Sequence, residues 1–204
     1  MIKNIIFDIG NVILNFDYEK VINQFTNINN EQEFIMNNII NSPEWLGYGL
    51  IDTGFITKED AIKIVQDRTN HINDALIENF WNNYNKYASI NSDVLNLISD
   101  LKKEGYKIYL LSNINPYTYE FIKKSNLFDI VDGYVLSYQE HQIKPYTSIY
   151  NTLIDRYELI PNECLFIDDN EKNIVTANTL GMLGKKVEPD NYDSVEKVIN
   201  ELIK

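Results

Sequence analysis

The sequence predicts an α/β protein, a doubly wound, Rossmann-like parallel sheet with an all-helical unit inserted after its first strand. Three observations carry this. The short apolar runs Ile5-Ile6-Phe7, Lys107 to Leu111 and Cys164 to Ile167 have the continuous hydrophobicity of strands buried on both faces. From about Ser92 such runs alternate with segments of helical period, as in a sheet built from strand–helix–strand units. Between the first run and Ala88 the periodic segments are all helical, so the block interrupts the alternation. The expected division is a core of residues 1–14 and 90–204 around an inserted helical cap of residues 15–89.

Taken in order, the first strand ends at Asp8, and Gly10 frees the backbone to turn. A carboxylate at a buried strand end needs a cation or donors. Two readings stand here: a ligand site, or a strand cap bonding the next turn. Asp17 is placed to cap a short helix carrying Val21, Ile22 and Phe25. Glu31 to Ile40 gives a second helix with Phe34, Ile35 and Ile39 inward, and Ser42-Pro43-Glu44 reads as the start of another. Trp45 to Gly54 has three glycines and no period; it is either a pocket wall or a surface loop. Thr57-Lys58-Glu59-Asp60 has the form of a capping box. Asn73 to Ala88 follows as a helix with a core stripe of Leu76, Phe80, Tyr84 and Tyr87.

In the alternating half, Val94, Leu95, Ile98 and Leu101 mark a helix that stops at Gly105. The strand from Lys107 runs into Ser112-Asn113-Ile114-Asn115-Pro116, where proline opens a helix through Lys124. Tyr134-Val135-Leu136 is a short strand, and Lys144-Pro145 precedes a helix with Ile149, Tyr150 and Leu153. The strand from Cys164 ends in Asp168-Asp169-Asn170. A helix through Ala177, a turn at Gly181, a strand-like piece and a helix from Val195 to Ile203 complete the chain.

Composition bounds the function. Among 204 residues, 44% are hydrophobic and 24% charged, the balance of an ordinary globular protein. A net charge of −12 repels phosphate backbones and anionic lipid, so no nucleic-acid or membrane partner is expected. The one cysteine, Cys164, lies in an apolar run and cannot form an internal disulfide. No stretch approaches membrane-spanning length, and the N-terminus lacks a signal-peptide pattern. The expected location is cytoplasmic, as a monomer or weak dimer.

Parallel strands would bring Asp8, Ser112 with Asn113, Lys144, and Asp168 with Asp169 to one sheet edge. Three carboxylates without a neighbouring Arg or His make a hard-oxygen site suited to Mg²⁺. A hydroxyl, backbone amides and one ammonium suit a phosphate, with Asp8 placed to attack its phosphorus. Taken singly, each residue has an ordinary alternative. Ser112 can cap a turn, Lys144 can be a surface lysine, and Asp168 or Asp169 can cap the next helix.

FDIGNV, LLSN, the lone KP and FIDDNEKN resemble, in order, the four motifs of the haloacid dehalogenase superfamily. The resemblance spans the chain, with the helical block where that family carries a small cap. It is closest to the branch with glycine two residues after the nucleophile, which includes bacterial phosphatases acting on glucose 1-phosphate. The resemblance implies an aspartyl-phosphate on Asp8. It implies Mg²⁺ held by Asp8, Asp169 and the Gly10 carbonyl, with Asp168 holding a ligand water. Ser112 and Asn113 would bind the phosphoryl group, and Lys144 would neutralise it.

Two departures stand out. Most phosphatases of the superfamily have a second Asp, as acid and base, where this chain has Gly10. Related sequences often carry glycine at His141 and a basic residue at Ile143. His141 is a candidate substitute acid; His71 is a weaker one. Competing readings are a halide-displacing hydrolase, a phospho-accepting receiver domain, and a phosphate-binding module without turnover. The receiver reading fits poorly, because its acid pair would come first in the chain.

Overall fold

A computed structural model describes residues 1–44 and 49–203. In chain order, β1 (Asn4–Phe7) and β2 (Leu14–Asn15) are followed by α1 (Tyr18–Ile22), α2 (Asn29–Ile35), α3 (Lys58–Arg68) and α4 (Asp74–Asn83). Then come β3 (Ser89–Ile90), α5 (Ser92–Lys103), β4 (Lys107–Ser112), α6 (Pro116–Ile122) and α7 (Leu127–Ile130). The rest is β5 (Gly133–Leu136), α8 (Ser137–Glu140), α9 (Thr147–Arg156), β6 (Cys164–Asp168), α10 (Glu171–Thr179), β7 (Leu183–Lys186) and α11 (Tyr192–Ile203).

Five strands form a parallel sheet in the order β5-β4-β1-β6-β7. The chain moves outward from β1 through β4 to β5, then returns to β6 on the other side of β1. Such a reversal opens a crevice at the carboxyl ends of the central strands. Alternation along β1 serves two cores at once. Ile5 and Phe7 pack with Val94, Ile98 and Leu101 of α5 and with Val195 and Ile199 of α11. Ile6 packs on the other face with Ile149, Tyr150 and Leu153 of α9 and with Ile174 and Ala177 of α10. This two-sided burial explains the unbroken apolar runs of the strands.

The capping residues act as their chemistry suggests. Asp17 accepts from the Lys20 N–H, Thr57 and Asp60 complete a reciprocal capping box, and Asn115 caps α6 just before Pro116. Gly105 ends the α5 turn at φ +97°, a conformation that favours glycine.

Three expected helices differ in detail. α2 stops at Ile35 and continues as a π-helical turn over Met36–Ile40. α4 gives way to a 3₁₀ turn at Tyr84–Tyr87. Its buried stripe is Ile77, Phe80, Trp81 and Tyr84, at the i, i+3, i+4, i+7 spacing of a helix face. Leu76 and Tyr87 border that stripe, with the Tyr87 ring edge-on to Phe25 at 5.3 Å. Asn41 to Glu44 forms turns, and the helix expected from Ser42 would run into residues outside the described ones. Trp45 and Tyr48, the large aromatics of the stretch expected to be either a pocket wall or a surface loop, lie outside the described residues as well.

One pairing went unread in the sequence. Leu14 and Asn15 pair antiparallel with Ile90 and Ser89, tying the chain before the helical block to the chain after it. Strands of two residues carry no period from which to recognise them. Among the described residues, no helix is long and apolar enough to cross a membrane.

Candidate active site

The parallel register fixes the site. Phe7 lies opposite Leu110 on β4 and Ile167 on β6, so Asp8, Ser112 and Asp168 leave the sheet at one edge. The Asp8 N–H still donates to the Ile167 carbonyl at 2.9 Å, which holds its backbone in the ladder. Three donors converge on Asp8 Oδ1: the Ile9 N–H at 2.7 Å, Ser112 Oγ at 2.7 Å and Lys144 Nζ at 2.8 Å. Among the described residues no donor engages Oδ2, and Asp8 lines a cavity of about 230 Å³.

Lys144 is buried between two carboxylates. Its Nζ lies 2.8 Å from Asp8 Oδ1 and 2.6 Å from Asp168 Oδ2. Asn113 pins the lysine's backbone: its Oδ1 accepts from the Lys144 N–H at 2.8 Å, and its Nδ2 donates to the Lys144 carbonyl at 3.0 Å. Asp168 is held in turn. Its Oδ1 accepts from the Asn170 N–H at 2.8 Å, and Asn173 Nδ2 reaches both of its oxygens at 3.0 Å. Asp169 accepts from Asn11 Nδ2 at 3.0 Å.

Burial dominates the electrostatics here. It pushes the Asp8 carboxyl up to about 7, against the pull of Lys144 and with added repulsion from Asp168 and Asp169. Burial also raises Asp169, partly offset by Asn11. For Lys144, burial favours loss of the proton, but Asp168 and Asp8 outweigh it and the ammonium is held above its ordinary range. One cation therefore faces three acids, a charge deficit a divalent metal would correct.

The donor set fits such a metal. Asp8, Asp168 and Asp169 can each offer one carboxylate oxygen, all within 4.8 Å of one another. Asn173 Oδ1 is buried beside them with no hydrogen-bond partner among the described residues. Oxygen ligands and room for water are what Mg²⁺ takes.

The ordinary alternatives do not describe these residues. The hydroxyl of Ser112 goes to Asp8 rather than to a turn, and Lys144 is 1% exposed. The side chain that caps α10 is Asn170, not either Asp. The His141 ring is held elsewhere: Nδ1 is 2.8 Å from the Thr53 carbonyl, and the ring stacks on Phe55 at 5.1 Å. His141 has φ +55°, a conformation that favours glycine. His71 is exposed beside Asp67 and Asp74.

This geometry agrees with the comparisons. Residues 2–181 match the family model for haloacid dehalogenase-like hydrolases. The chain belongs to that family. It is 28% identical to a D-ribitol-5-phosphate phosphatase of Bacteroides thetaiotaomicron, over 94% of this chain and 93% of the relative. A family enzyme from Bacteroides thetaiotaomicron, solved with magnesium and inorganic phosphate, superposes with a TM-score of 0.74. It is 25% identical, covering 96% of this chain and 99% of that one. A family hydrolase from Porphyromonas gingivalis matches the fold with a TM-score of 0.77 at 22% identity, covering 100% and 99%.

Reading the sequence did not single out Asn11, Asn173, Asp52 or Asn115. Asn173 had a signal, since it follows the acid pair in the first turn of α10. Asp52 had none, because a lone acid in an aperiodic loop looks like surface. It is fully buried and lines the cavity.

Proposed function

We propose that this hydrolase is a Mg²⁺-dependent phosphomonoesterase acting through an aspartyl-phosphate on Asp8. The observation that carries the reading is the loading of Asp8. Oδ1 is held by Ser112, Lys144 and the Ile9 N–H, while among the described residues no donor engages Oδ2, in a carboxylate-lined cavity. That arrangement orients the Asp8 carboxylate toward an electrophile in the cavity. In the first step one carboxylate oxygen of Asp8 bonds to phosphorus, the ester P–O bond breaks, and the leaving oxygen takes up a proton from water. In the second, water attacks phosphorus, the Asp8–P bond breaks, and phosphate departs. Ser112 and the main chain at Asn113 would hold the phosphoryl oxygens while Lys144 balances their charge.

Asp8, Asp169 and the Gly10 carbonyl would hold Mg²⁺, with Asp168 behind a bound water. When bound, the metal supplies positive charge to the transferring phosphoryl group. The magnesium and phosphate of the Bacteroides structure support this reading, and so does the phosphatase named among the relatives. The pairing of β2 with β3 supports taking residues 15–89 as an inserted cap on a core of 1–14 and 90–204. A screen of phosphorylated metabolites with Mg²⁺ tests the reading, and turnover that survives EDTA would sink it.

The metal should also register in stability. Asp8 moves from 3.8 unfolded to about 7 folded, so between these values the folded protein binds more protons. The metal-free protein therefore loses stability as pH rises through that window. Mg²⁺ replaces the proton, so its effect on Tm should be larger at pH 8 than at pH 5. Melting curves with and without Mg²⁺ check this; equal shifts at both pH values would place the metal elsewhere.

Gly10 shapes the substrate profile. With no acid at that position, leaving groups stable as anions should react fastest, so p-nitrophenyl phosphate and sugar 1-phosphates should lead sugar 6-phosphates. Missing general acid catalysis is worth about 10²–10⁴ in rate. A Cβ built on Gly10 meets nothing within 4 Å, and its φ lies outside the glycine-favouring region. Gly10→Asp should therefore raise kcat for alkyl phosphates more than for p-nitrophenyl phosphate. Equal gains across a leaving-group series would show that another group already supplies the proton.

A further inference from the structure

We infer that Asp52, oriented by Asn115, is the leaving-group recognition residue, selecting uncharged, hydroxylated leaving groups over anionic ones. The inference rests on the phosphomonoesterase reading above and goes on to the part of the substrate that reading leaves open. Asp52 belongs to the helical block's loop, yet it is 0% exposed and lines the same cavity as Asp8 and Lys144.

Its orientation is set from the core. Asn115 is also 0% exposed and caps α6 through Oδ1, which accepts the Tyr117 and Thr118 N–H groups at 3.1 and 2.9 Å. With its oxygen committed to the helix, the amide must point its NH₂ the other way. Nδ2 donates to Asp52 Oδ1 at 3.1 Å. The Tyr84 hydroxyl lies 3.4 Å from the same Asn115 oxygen, closing the network from the helical side. The caps of a helix thus fix a carboxylate as a hydrogen-bond acceptor on the cavity wall.

The rest of the wall agrees. Leu14, Phe16 and Ile114 offer apolar surface, and Asn85 adds an uncharged polar group. Lys144 is the one cation among the described residues that line the cavity, and Asp8 and Asp168 already flank it. A second phosphate or a carboxylate on the leaving group would meet Asp52 with no further cation among the described lining residues to receive it. Sugar and polyol hydroxyls, by contrast, donate to a carboxylate. A cavity of about 230 Å³ has room for a leaving group of that size beside the phosphoryl group.

The test compares wild type, Asp52→Asn and Asn115→Ser on glucose 1-phosphate, ribitol 5-phosphate, fructose 1,6-bisphosphate, phosphoglycolate and p-nitrophenyl phosphate. Serine keeps the helix cap but removes the amide donor. Hydrogen bonds to a charged acceptor are the stronger kind, so Asp52→Asn should lose about 10- to 100-fold in kcat/KM on the hydroxylated esters. The loss on p-nitrophenyl phosphate, which offers no hydroxyl, should be smaller than on those esters, and circular dichroism and Tm show whether the fold is intact. The wild-type preference for neutral over anionic leaving groups should shrink in both variants. Equal losses on every ester, or wild-type turnover of phosphoglycolate matching that of ribitol 5-phosphate, would overturn the assignment. Calorimetry with the free products glucose and ribitol separates the two readings. Binding that weakens in Asp52→Asn supports the role of Asp52 even if no phosphomonoester is turned over, and binding that is unchanged overturns it.

Discussion

Asp8→Asn is expected to abolish turnover, with a loss of roughly 10⁴-fold or more, while the fold stays intact. An amide has the shape of the carboxylate but no anionic oxygen to attack phosphorus. Losses of this size are usual when a nucleophile is removed. The structure also gives the expected direction in stability. Burial and two neighbouring carboxylates push Asp8 up to about 7, so the folded state resists its charge at higher pH. Replacing it with a neutral isostere leaves Lys144 its 2.6 Å partner Asp168, and the Ser112 and Ile9 donors can still find the amide oxygen. At pH 8 the variant should melt no lower than the metal-free wild type. Beryllium fluoride with Mg²⁺ should add a trifluoroberyllate group at Asp8 in the wild type alone. Wild-type hydrolysis by Asp8→Asn would rule out the covalent route.

The sheet and its edge were legible because buried parallel strands leave a strong mark. Their apolar runs, and the polar residues that stop them, are local features. Asp8, Ser112 and Asp168 could be read at strand ends, and the parallel register brings them together. Lys144 was legible only as a lone KP in order with the other motifs, since nothing local shows that a lysine is buried. The supporting amides were harder. Asn113 is legible at a strand end, but the pairing of its side chain with the Lys144 backbone is not. Asparagine carries both a donor and an acceptor, so sequence cannot say which neighbour uses them. Asp52 and Asn115 are 63 residues apart and meet only through tertiary packing. The helical block is legible as a unit, but the change to a π turn after Ile35 and to a 3₁₀ turn after Asn83 leaves the apolar period unbroken and so leaves no mark in it.

Lys144→Met should cost both stability and activity, and pH should separate the two causes. Methionine fills a similar volume, but it leaves Asp8 and Asp168 buried without their cation. Breaking a buried pair by removing one partner typically costs about 3–5 kcal/mol, most of it from the stranded charge. In the wild type, Lys144 is held above its ordinary range, so its contribution is fully present across neutral pH. The cost of removing it therefore tracks the ionisation of Asp8. At pH 8 Asp8 is charged and presses for a counter-charge; as pH falls through its raised range it takes up a proton and that stranded charge disappears. The gap in Tm between wild type and Lys144→Met should narrow from pH 8 to pH 5. Added Mg²⁺ should narrow it at pH 8, because a second cation enters the same acid cluster. Activity should stay low at every pH, by roughly 10²–10³-fold, because no other cation that lines the described cavity can balance the transferring phosphoryl group. A Tm gap independent of pH would reduce Lys144 to a packing residue. Undiminished kcat in a folded variant would remove it from the reaction.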